Sequence, residues 1–80
     1  MTQKDFLQIA KYANENWKGS FTQEEVERNA QIYWADFEWS KENGRPSFII
    51  KELINLLKED GSEECLEWAE RITREINGSK

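Results

Sequence analysis

Four breaks punctuate this chain: Gly19-Ser20, Asn43-Gly44-Arg45-Pro46, Asp60-Gly61 and Asn77-Gly78. Gly and Pro end regular elements, Gly because it accepts left-handed backbone and Pro because it lacks an N–H. Between the breaks no run alternates apolar and polar residues as a half-buried strand would. Apolar residues recur instead at spacings of three and four. The pattern predicts an all-α chain, a compact bundle of four helices over about residues 3–16, 23–43, 48–58 and 63–77. Eighty residues suffice for one small domain, residues 1–80.

The start signals agree with this division. Thr2 with Asp5, and Thr22 with Glu25, have the capping-box spacing, in which each side chain bonds the other residue's backbone N–H. Ser62 precedes Glu63 and Glu64, acids that suit the positive end of a helix dipole. Before the third helix, either Ser47 caps or Pro46 occupies the first turn. Phe6, Ile9, Ala10, Ala13 and Trp17 form the stripe of the first helix. Cys65, Trp68, Ala69, Ile72 and Ile76 form that of the fourth, with Glu67–Arg71 and Glu70–Arg74 spaced to pair on its outside. The third helix carries Phe48, Ile49, Ile50, Leu53, Ile54, Leu56 and Leu57, an arc so wide that a mostly buried helix is expected.

The second helix is different. Its segment IYWADFEW holds Tyr33, Trp34, Phe37 and Trp39. At about 100° per residue, Val26, Ala30, Tyr33 and Phe37 fall on one line with Trp34 at its edge. Ile32, Ala35 and Trp39 fall on nearly the opposite side, beside Arg28. A peripheral helix of a small bundle needs one apolar stripe. The second stripe is either another wall of the same core or a surface that meets a partner, since exposed apolar patches mark contact sites and Trp is enriched in them. Self-association as a homodimer is the simplest form. The expected contact surface comprises Ile32, Trp34, Ala35 and Trp39, with Glu38, Glu42 and Arg45 at its rim. Arg45 is the basic residue of the turn and is placed either to bond the last helical carbonyls or to project as a contact.

Charge narrows the partners. The net charge is −5 and no segment clusters Lys and Arg, as a phosphate-binding surface requires. Glu24, Glu27, Glu38 and Glu42 share a face of the second helix. They read as a solvated face or, as an alternative function, as a mimic of nucleic-acid phosphates that blocks a nucleic-acid enzyme. FTQEEVERNAQ begins like a helix-turn-helix, yet the next turn comes only near Asn43, and FIIKELINLLK is too apolar to lie in a groove. DNA binding, the weakest alternative, would rest on Lys4, Lys11, Lys18 and Arg45.

Catalytic chemistry finds little support. The sequence has no His, the commonest general base and a common metal ligand. Cys65, the single cysteine, lies on an apolar stripe and reads as a buried structural thiol. KEDGSEE lacks the alternating ligands of a calcium loop, and no Gly-rich phosphate loop is present. No enzyme activity, cofactor, metal or small-molecule substrate is expected. No apolar run of membrane-spanning length occurs, nor a secretory leader, so a cytoplasmic protein is expected. The chain has the general look of small bacterial and phage proteins, and no functional residue is carried over from that likeness. The reading is a small accessory or regulatory protein-interaction module.

Overall fold

A computed structural model describes residues 1–17 and 19–78. The chain is all-α, with four helices: α1 Gln3–Asn16, α2 Gln23–Asn43, α3 Phe48–Asp60 and α4 Glu63–Asn77. Among the described residues there is no strand, and no helix is long and apolar enough to cross a membrane. The chain divides into two compact units, Met1–Ala35 and Asp36–Lys80, with the boundary falling inside α2.

In the first unit both capping boxes form. The Thr2 hydroxyl accepts from the Asp5 N–H, and the Asp5 carboxylate accepts from the Thr2 N–H at 2.8 Å. Thr22 and Glu25 repeat the exchange at 3.2 and 3.1 Å. These bonds satisfy N–H groups that a helix start otherwise leaves without partners. The turn between α1 and α2 is held by a side chain. Asn14 accepts from the Phe21 N–H at 3.1 Å and donates to the Phe21 carbonyl at 3.3 Å. A Cβ on Gly19 would stand 2.4 Å from the Asn14 carbonyl oxygen, so this approach requires glycine. Ala10, Val26 and Ala30 form a buried cluster with Leu7 and Tyr33 packed on it. Phe6 and Ile9 are fully buried. Tyr12 and Trp17 meet edge to face at 5.9 Å.

In the second unit α3 packs against α4. Ile50, Leu53, Ile54 and Leu57 are buried on α3, and Cys65, Trp68, Ala69, Ile72 and Ile76 on α4. The expected stripe of α4 is thus its buried face, and Cys65 is a buried thiol. The turn between α2 and α3 is densely bonded. Gly44 takes a left-handed φ of 68°, and the Arg45 N–H donates to the Ser40 carbonyl at 3.2 Å. This six-to-one bond closes the helix C-terminus as a Schellman motif. The hydroxyl of fully buried Ser40 donates to the Asp36 carbonyl at 2.7 Å and accepts from the Ser47 N–H at 2.8 Å. Ser47, not Pro46, caps α3, accepting from the Ile50 N–H at 3.2 Å.

Two expectations for α3 are corrected. The helix runs two residues past Lys58, because its stop is Gly61 at φ 74°, whose N–H donates to the Leu57 carbonyl. It is also not mostly buried: Phe48 is 75% exposed and Leu56 is exposed too. Ile50, Leu53, Ile54 and Leu57 lie within about 100° of arc, which one neighbouring face can cover, whereas Phe48 and Leu56 fall outside that arc.

Candidate functional site

Helix α2 sorts its aromatics by angle. Val26, Ala30 and Phe37 are buried and Tyr33 is half-buried, so the first stripe faces inward. Arg28, Ile32, Ala35 and Trp39 are all exposed, and Ile32 and Trp39 each show 42% of their surface. The second stripe is therefore outside the core. Trp carries about 150–250 Å² of buriable area, about the largest of any side chain.

Trp39 belongs to the second unit, and its surroundings there are ordered from both ends of the turn. Its carbonyl accepts from the Asn43 side-chain amide at 2.8 Å. Arg45 bonds a carbonyl of the last turn of α2 through its backbone, the first of the two roles left open by its sequence position. Its backbone N–H closes the Schellman bond, and its guanidinium carbon stands 5.8 Å from the centre of the Trp39 ring. A guanidinium at this distance is attracted by the ring quadrupole. Glu38 and Glu42 are exposed on the same stretch of α2. They are four residues apart, a like-charge spacing that disfavours the isolated helix slightly. The result is an exposed aromatic ring with a guanidinium over it, on a stretch of helix that also carries two exposed acids.

Trp34 is placed otherwise. It is half-buried in the first unit, its ring edge to face with Phe6 at 5.9 Å and 64°. Its outer side borders a groove of about 660 Å³ lined by Lys4, Leu7, Glu27, Ala30, Gln31 and Trp34. That groove had no sequence signal, because it depends on which residues of α1 stand opposite Ala30 and Gln31.

The remaining candidates are dispersed. Glu24 and Glu27 are exposed, as are Lys4 and Lys11, while Lys18 lies outside the described residues. Among the described residues no group of three or more His, Cys, Asp or Glu side chains is arranged to hold a metal ion. Comparison with protein-family models, with curated proteins and with solved structures finds no match to this chain.

Proposed function

We propose that this chain is a small protein-interaction module that associates with a protein, in the first place a second copy of itself, through the outer face of α2 centred on Trp39. The observation that carries this reading is the placement of Trp39: it is near half exposed on the side of α2 opposite fully buried Phe37, with Arg45 over its ring. Removing its exposed surface from water would stabilise a complex by about 25 cal/mol per Å² before the costs of association. Trp and Arg are also the side chains most enriched where interfaces concentrate their energy. Glu38, Glu42 and Arg45 supply the charged rim. The test is sedimentation across concentration for the wild type and Trp39→Ala, with circular dichroism on both. The expected result is a wild-type mass that rises toward twice the chain mass while Trp39→Ala stays monomeric with the same helical spectrum. A wild-type mass that stays monomeric up to millimolar protein, or a Trp39→Ala chain that loses its helical spectrum, overturns the reading.

A further inference from the structure

The groove beside Trp34 lies wholly in the first unit and shares no residue with the face around Trp39. Asn14 meets Phe21 at the turn and Phe6 meets Trp34 farther on, so α1 and this part of α2 run antiparallel. Lys4, near the start of α1, therefore stands at the Trp34 end of the groove. Glu27 lies seven residues before Trp34 on α2, about 10 Å along the axis. Between these ends the floor is apolar, with Ala30 buried and Leu7 and Trp34 half-buried, and Gln31 places a primary amide on the rim. A volume of about 660 Å³ suits a small ligand, and such sites combine an apolar lining with a few placed polar groups. Lys4 and Glu27 are exposed, and among the described residues neither has an ion-pair partner. Glu27 accepts from the Gln23 side chain at a long 3.4 Å. Both charges are thus open to a ligand.

We infer that this groove binds a short peptide of about three residues with both ends free, its carboxylate at Lys4 and its ammonium at Glu27. The charges select a zwitterion, since a ligand with one charge leaves one end of the groove unmatched. The separation selects the length. An extended chain advances about 3.3–3.6 Å per residue, so three residues span roughly 10 Å. A single amino acid holds its two charges too close together to reach both ends. The apolar floor selects the side chains: an aliphatic one in the middle covers Leu7 and Ala30, and an aromatic one at the carboxylate end lies against Trp34. The Gln31 amide donates to and accepts from the peptide groups between the ends.

The tripeptide Ala-Leu-Phe tests this, titrated into the full isotope-labelled chain and followed by nuclear magnetic resonance. It is used with free ends, N-acetylated and C-amidated. The expected result is saturable shifts at Lys4, Leu7, Gln31 and the Trp34 indole, with a dissociation constant on the order of 0.1–1 mM. Acetylation removes the ammonium and should weaken binding about two- to fivefold, the range of an exposed ion pair. Glu27→Gln should weaken the free peptide equally and the acetylated peptide not at all. Lys4→Gln and C-amidation should behave in the same way toward each other. Both substitutions fall on exposed side chains, and matching thermal unfolding confirms that the fold is kept. Absence of saturable shifts up to about 10 mM peptide overturns the inference. So do shifts centred outside the groove, or caps and variants that leave affinity unchanged. None of these outcomes bears on the role proposed for Trp39, which lies in the other unit.

Discussion

Trp34 and Trp39 are the same side chain five residues apart on α2, and they serve opposite ends. Five residues turn a helix by about 140°, enough to carry a ring from the edge of a buried stripe to the outside. Trp34 is half-buried and meets Phe6 edge to face, whereas Trp39 is 42% exposed and its neighbour is a guanidinium. An aromatic pair of the first kind contributes about 0.5–1.5 kcal/mol beyond the area it buries, and an exposed cation–π contact about 0.5–1 kcal/mol. Aromatic density along the sequence therefore says little about stability. The angle each ring takes decides whether it holds the fold or is left for something else.

The largest effect that can break this distinction comes from Phe37. It is fully buried on the inner side of the same helix, two residues before Trp39. Phe37→Ala is expected to lower unfolding free energy by about 3–5 kcal/mol. That is a large share of the roughly 5–15 kcal/mol that holds a domain together. Trp39→Ala should cost under about 1 kcal/mol in the same urea titration, the range of exposed substitutions and of the one cation–π contact it loses. Equal losses for the two variants would place Trp39 in the fold and remove the ground for its proposed role.

Ser40 sharpens the contrast at an intermediate level. Ser40→Ala keeps the shape of the site but leaves the Ser47 N–H without its acceptor at the start of α3. An unsatisfied buried donor costs about 1–3 kcal/mol. The Ser47 amide should also exchange with solvent faster than in the wild type, and an unchanged exchange rate would show that the turn does not depend on this hydroxyl.

The helices were legible because their signals are short-range. Thr2 with Asp5, Thr22 with Glu25, Ser62, and Gly44 each act within about one turn, and α1, α2 and α4 have the bounds that those residues imply. What was not legible depends on partners farther along the chain. Ser40 reads as an ordinary polar residue until Ser47, seven residues on, bonds to it across the turn. Asn14 and Phe21 are also seven apart. The exposure of Phe48 depends on how wide a face α4 and its neighbours present, which an apolar arc does not encode. For the candidate site, the sequence carries the angle of Trp39 but not its exposure. Arg45 left two roles open because its backbone and its side chain do different things.

Arg45 supplies the smallest expected effect. Its structural contribution is the N–H that bonds the Ser40 carbonyl, and any residue except proline keeps that donor. Arg45→Gln removes only the charge over Trp39, so unfolding free energy should fall by about 0.5 kcal/mol, within the range for an exposed cation–π contact. Self-association should weaken by a few-fold only, because a rim charge chiefly affects encounter and salt dependence while the ring supplies the buried area. Sedimentation at two ionic strengths separates these contributions. If Arg45→Gln weakens association as much as Trp39→Ala at both, the guanidinium is the centre of the contact and the ring its support, and the roles assigned to the two residues are reversed.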